Sequence, residues 1–138
     1  MNKVVDITLR RARSIAGETA PAPELDPPAY AELMATSNFS FLHSGSDPEE
    51  LIAAAVAKGL TGLGLCDRNS FAGVVRAYSA LRQLREDPET EPATRGFRYV
   101  VGVRLVFADG TPDIVAYPTD RDAYGRLCRL LTLGNTRE

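Results

Sequence analysis

The chain is poor in the residues that usually carry metal or nucleophilic chemistry. It has one histidine, His43, and two cysteines, Cys66 and Cys128, in 138 residues. Two distant cysteines make neither a disulfide framework nor a Cys-x-x-Cys metal spacing, so a reducing cytosol is the expected compartment. A hydrolytic metal site needs several nitrogen, sulfur or carboxylate ligands together. His43, beside Ser44 and Gly45, reads instead as an exposed loop residue. No serine or cysteine has a second histidine to choose from as its base. There is no P-loop and no G-x-G-x-x-G run. No apolar stretch approaches the roughly 18 residues of a membrane-spanning helix. The start, with Asp6 and Glu18 among its arginines, lacks the apolar core of a secretory signal and argues against a transit peptide. Net charge is −2, from 16 basic and 18 acidic residues, which gives no bulk attraction to nucleic acid or anionic lipid.

What is present is an ordinary globular composition, 44% apolar and 25% charged. The length fits one domain with a real core. Residues 1–29 read as a flexible, frayed tail and a linker, although Val4 to Ile15 could form a short basic helix. Pro21, Pro23, Pro27 and Pro28 make that linker extended. From Tyr30 onward strands alternate with helices. A strand is expected over residues 30–36 and a loop over 37–45. A helix then opens at Asp47-Pro48-Glu49-Glu50 and stops at Gly59. Residues 62–66 form a short apolar run of the kind found in buried parallel strands. A second helix is expected over 70–85, with Phe71, Val74, Val75, Tyr78 and Leu81 along one face. Residues 86–96 read as a polar loop. A strand follows over 99–107, then an Asp109-Gly110 turn and a returning strand over 114–117. Thr119 is the expected cap of a last helix running to Gly134. The order β-α-β-α-β-β-α indicates an α/β fold with mainly parallel strands.

In such folds sites gather where strands end at their carboxyl termini. Three places qualify: 34–38, 67–70 and 102–104. Asp67 could be a ligand or base, or simply cap the next helix or pair with Arg68. Arg68 and Arg104 could hold phosphate, or be solvated. Gly62 and Gly64 lie inside a strand, where small residues allow close packing.

Four landmarks in register carry a resemblance. Tyr30-Ala31-Glu32-Leu33 is followed by Thr36-Ser37-Asn38-Phe39-Ser40-Phe41-Leu42, and Pro48-Glu49-Glu50-Leu51 opens the first helix. Leu63-Gly64-Leu65-Cys66-Asp67-Arg68-Asn69 precedes Ala72-Gly73-Val74-Val75-Arg76-Ala77. Val100-Val101-Gly102-Val103-Arg104-Leu105 is the third. Tyr117-Pro118-Thr119-Asp120-Arg121 and the run Tyr124 to Gly134 are the fourth. Residues 30–135 thus resemble the start of the PHP domain of bacterial DNA polymerase III alpha subunits, in the error-prone branch. The resemblance implies a partial PHP-type barrel, a distorted TIM-like arrangement, with 30–138 an incomplete domain.

The family's metal cluster begins with a His-x-His pair, where this chain has Met34-Ala35-Thr36. Its Asp-His motif is Asp67-Arg68 here, and its Gly-x-Glu is Gly102-Val103-Arg104. Of these vestigial positions only Asp67 keeps a ligand's chemistry, and two have become fixed positive charges that repel a divalent cation. Asp67 is therefore expected to be structural, facing the mouth of the former site near Arg68 or Arg104. The resemblance implies no catalytic residue and no cofactor in this chain, with Mg²⁺ needed only by a polymerase palm absent here. It implies a scaffold role in a cytoplasmic enzyme of damage-tolerant DNA synthesis. The rest of the alpha subunit or replication and repair proteins would be the partners, and DNA would be met only through the full-length enzyme. A gene fragment, a truncated reading frame or a stand-alone derivative would each have this length. The alternatives are a stand-alone PHP phosphoesterase and a small interaction protein. The latter would use Arg10, Arg11 and Arg13 of the tail and Arg121, Arg126 and Arg129 of the last helix.

Protein purified without chelator is expected to hold no stoichiometric metal. Elemental analysis checks this: near one equivalent of zinc, manganese or iron per chain would contradict the reading of Met34, Thr36, Arg68 and Arg104.

Overall fold

The computed structural model describes residues 28–137. The tail expected to be flexible, with Val4 to Ile15 and its Arg10, Arg11 and Arg13, and nearly all of the proline-rich linker lie outside these residues. The elements are β1 (Ala31–Ala35), α1 (Pro48–Ala57), β2 (Gly62–Arg68), α2 (Val74–Glu86), α3 (Glu91–Thr94), β3 (Arg98–Leu105), β4 (Ile114–Ala116) and α4 (Arg121–Thr136). They build one curled four-stranded sheet in the order β1-β2-β3-β4. β1, β2 and β3 run parallel, and β4 returns antiparallel to β3 after the turn at Gly110, whose φ is 83°. This is the expected α/β half-barrel.

β2 is the axis of the fold. Its residues Gly62 to Asp67 are all buried, as a strand covered on both faces requires. Glycine lets β1 come close: a Cβ on Gly64 would lie 2.5 Å from the Leu33 carbonyl oxygen. Leu63 and Leu65 point to the helix side, where they join Ile52, Ala55 and Val56 of α1 and Ala77, Ala80, Leu81 and Leu84 of α2 in one core.

Helix α1 begins where its sequence demands. Pro48 opens it, and the Asp47 amide donates to Glu50 Oε2 at 3.4 Å, closing the glutamate half of a capping box. Gly59 ends it with a φ of 71°, the left-handed conformation glycine adopts freely.

Helix α2 departs from expectation twice. It starts at Val74 rather than Ser70, because the Ser70 hydroxyl closes a local turn by accepting from the Ala72 amide at 3.0 Å. Its buried face is Ala77, Ala80, Leu81 and Leu84, while Val75 and Tyr78 are exposed. The alanines let α2 lie close against α1, and that close approach selects the face over bulk hydrophobicity. Residues 86–96 are not all loop. Asp87 ends α2, and the buried Thr90, whose hydroxyl donates to the Leu84 carbonyl at 2.6 Å, leads into the single turn of α3.

Helix α4 is capped by Asp120 instead of Thr119, its Oδ1 accepting from the Ala123 amide at 2.7 Å. Aspartate is the stronger cap of the two. The helix continues past Gly134 to Thr136. None of its residues is buried, and its ring contact is Phe71 against Tyr124, with centroids 4.8 Å apart. Leu130 and Leu133 are exposed on α4, as are Leu33 and Met34 on the edge strand β1.

Apolar surface left in water costs about 25 cal/mol per Å², so a few hundred Å² is comparable with the stability of a small domain. The isolated chain should therefore self-associate or melt below about 65 °C. Sedimentation and thermal unfolding check this, and a sharp two-state transition above that temperature from a strict monomer would refute it.

Candidate functional site

The carboxyl ends of β1, β2 and β3 meet at a pocket of about 190 Å³ lined by Thr36, Ser40, His43, Cys66, Arg68, Arg104 and Asp113. Two registers build it. Cys66 pairs with Gly102, and Arg68 with Arg104, across parallel strands. In-register neighbours point to the same face, so the alternation of β2 sends Cys66 and Arg68 to the pocket side. Leu65 and Asp67 go to the helix side.

Asp67 thus does not face the mouth of the site, although it stands at the carboxyl end of a strand as expected. Its carboxylate is 1% exposed. Oδ1 accepts from the Ser37 amide at 2.7 Å and the Ser40 hydroxyl at 2.8 Å, and Oδ2 accepts from the Ser37 hydroxyl at 2.7 Å. Both serines are as buried as the aspartate. A buried charge is tolerable when its lone pairs are met, and here three short bonds meet them. The loop after β1 is drawn across the end of β2 as a result. Ser40 then accepts from the Arg68 amide at 2.8 Å, which fixes the backbone of the next strand residue.

A second clamp sits one residue on. Asn69 has a φ of 47°, a left-handed conformation that asparagine tolerates. Its amide donates to the Arg104 carbonyl at 2.9 Å. Its side chain donates to the Val106 carbonyl at 3.1 Å and accepts from the Val106 amide at 2.8 Å. The ends of β2 and β3, with both arginines, are locked together.

At the pocket, Arg68 Nη1 lies 3.5 Å from His43 Nε2. Arg104 Nε is buried with no acceptor among the described residues. Below them Cys66 Sγ donates to the Leu33 carbonyl at 3.3 Å, and the Tyr117 hydroxyl donates to the same oxygen. Gly102 makes room for both: a Cβ there would meet Cys66 Sγ at 2.5 Å and the Tyr117 ring at 2.8 Å. Burial pushes the Cys66 thiol above its ordinary pKa. Burial first, then the neighbouring thiol, push Tyr117 up to about 12. Both groups keep their protons at neutral pH, so Cys66 is neither a ready nucleophile nor a ready ligand.

Of the family's former ligand positions, the structure brings Thr36, Arg68 and Arg104 together at the pocket. Met34 is exposed on β1 and does not line it. Arg121, Arg126 and Arg129 are exposed along α4 and do not line it either. His43 is exposed, as its loop position suggested, yet it is part of the pocket wall. Ser40, Cys66 and Asp113 were not singled out from sequence. The period of two in β2 could have found Cys66, since it shares a face with Arg68. No local signal places Ser40 or Asp113. Among the described residues no group of three or more His, Cys, Asp or Glu side chains converges where a metal ion could sit. Against two guanidinium groups and a protonated thiol the pocket sets one imidazole and one carboxylate, His43 and Asp113, too few ligands for a divalent cation.

Removing the Asp67 carboxylate should cost more stability than any surface change. Hydrogen bonds to a charged group are worth about 1.5–3 kcal/mol each, so Asp67→Asn, which turns one acceptor into a donor, should lose about 2–4 kcal/mol. Asp67→Ala should lose more, with the same denaturant dependence. Chemical denaturation checks this, and a loss below about 0.5 kcal/mol, the scale of surface substitutions, would refute the role.

Comparison with known proteins fits this geometry. The family profile of the PHP domain matches residues 32–138. The chain is 56% identical over 110 residues to an error-prone DNA polymerase of Rhodopseudomonas palustris strain BisA53, covering 80% of this chain. It is 52% identical over 111 residues to the error-prone DNA polymerase of Caulobacter vibrioides, again over 80% of this chain. It spans 9% of the length of each of these relatives. Among solved structures it is similar to a protein from Bifidobacterium adolescentis described as a candidate metal-dependent phosphoesterase. The TM-score is 0.51 at 18% identity, over 75% of this chain and 33% of that one. That likeness supports the half-barrel alone. The family match runs from the first strand through the last helix and takes in every strand end around the pocket, and the chain accordingly belongs to the PHP domain family.

Proposed function

We propose that this chain is a PHP scaffold segment of an error-prone DNA polymerase III alpha subunit, acting in DNA synthesis past damage. The observation that carries the reading is identity of 50–56% to error-prone polymerases over most of the chain. The donor chemistry of the pocket supports a structural role. Strand ends that would hold a metal cluster carry Arg68, Arg104 and Thr36, and the remaining carboxylate, Asp67, is spent on Ser37 and Ser40. In this reading the chain holds no metal and performs no chemistry itself, and Mg²⁺ belongs to a palm elsewhere in the subunit. The rest of that subunit completes the sheet, DNA is met only through it, and the compartment is the cytoplasm. Among the described residues no helix is long and apolar enough to cross a membrane, which is compatible with that placement.

A chimera tests this. Residues 30–135 should replace the matching segment of the Caulobacter vibrioides error-prone polymerase without loss of damage-induced mutagenesis. The same chimera carrying Asp67→Ala should lose it. A chimera that is expressed and folded but inactive would overturn the proposal.

A further inference from the structure

We infer that the pocket at the strand ends is an oxyanion site that takes one phosphoryl group, held by Arg68 and Arg104. The inference stands on the pocket alone and goes beyond the scaffold reading. Three observations converge on it. Arg68 and Arg104 occupy paired register positions on neighbouring parallel strands, so both rise from one face at adjacent strands. Like charges placed opposite each other on a sheet are destabilising unless something neutralises them. Neither arginine forms an ion pair among the described residues. Second, Arg104 Nε is buried and lacks an acceptor. A buried donor without a partner calls for an ion or water to fill the place. Third, the remaining wall suits an anion's oxygens. Thr36 and His43 line the same space and carry groups able to donate to it, whereas the Ser40 hydroxyl is already given to Asp67.

Charge and size define the ligand class. Two fixed positive charges face one carboxylate, Asp113, so the pocket stays net positive. At roughly 30 Å³ per water, the 190 Å³ volume holds about six waters. That accommodates a phosphoryl group but falls short of the ~300 Å³ at which whole-molecule pockets begin. Anything attached to the phosphate must therefore lie outside the mouth. Arginine's planar fork suits phosphate oxygens two at a time. The ligand is free phosphate or the terminal phosphate of a nucleic acid strand, which share this chemistry.

Calorimetric titration of the full chain at constant ionic strength tests the site. The probes are inorganic phosphate and one oligonucleotide with and without a 5′-phosphate. Saturable binding of phosphate is expected, weakened at least tenfold by Arg104→Met and by Arg68→Gln and unchanged by Arg129→Met on α4. The Arg68 head is exposed, so that variant carries the test if Arg104→Met fails to fold. Preference for the phosphorylated oligonucleotide over the bare one would support a strand end as the source, and binding of inorganic phosphate alone would support the free ion. Absence of saturation up to about 10 mM phosphate, with equal binding of the two oligonucleotides, would overturn the site. So would binding that survives both arginine variants.

Discussion

A single carboxylate, with no ion-pair partner among the described residues, organises this molecule. Asp67 sits at the end of the central strand, shut away from water, and is held by one amide and two hydroxyls from the loop that follows β1. An ionised group in that position is unfavourable unless every lone pair is directed at a donor. The loop therefore has little choice of path. Its turns, with Ser40 donating back to Ser37 and His43 to Ser40 through their amides, present two serine hydroxyls inward. The same constraint passes onward through Ser40 to the Arg68 backbone and through Asn38, which donates to Asp47 at the start of α1. One buried charge thus sets the loop, the first helix and the tip of the second strand together.

The sequence showed the fold where the signal was local. The apolar run 62–66, the Asp47-Pro48-Glu50 start and the Gly59 stop depend on neighbours within a few positions, and all stand where they were read. Reading faltered where tertiary contact decides. The α2 stripe chosen by bulk hydrophobicity included Val75 and Tyr78, but alanines pack where two helices must come close. The turn of α3 needs Thr90 to reach back to Leu84, a contact no period reveals. Asp67 looked like a residue of the pocket because it ends a strand and keeps a ligand position of the family motif. The alternation of β2 puts consecutive residues on opposite sides, and that rule, applied to the strand, separates it from Arg68. Arg68 and Arg104 were legible through the family motif and meet through strand register, whereas Asp113 and Ser40 reach the pocket from loops that carry no periodic signal.

That alternation explains how a family can keep its architecture while its chemistry changes. On β2 the helix side carries Leu63, Leu65 and Asp67, which hold the core and the loop. The other side carries Cys66 and Arg68, which meet the pocket. Substitution at Arg68, on the pocket side, alters the charge of the pocket without replacing a residue of the helix-side core. Gly102 adds a steric limit: its neighbours Cys66 and Tyr117 fill the space beside it, so the floor of the pocket is fixed while its rim is variable.

Helix α4 has a different relation to the whole. No residue of it is buried, and Phe71 against Tyr124 is its ring contact with the loop before α2. Elements held by so little apolar contact open at a free energy well below that of global unfolding. Local opening of α4, with the sheet, α1 and α2 intact, is the expected consequence. The aromatic pair is then the boundary at which cooperative melting should stop, with the amides of the helix exchanging with solvent on their own clock.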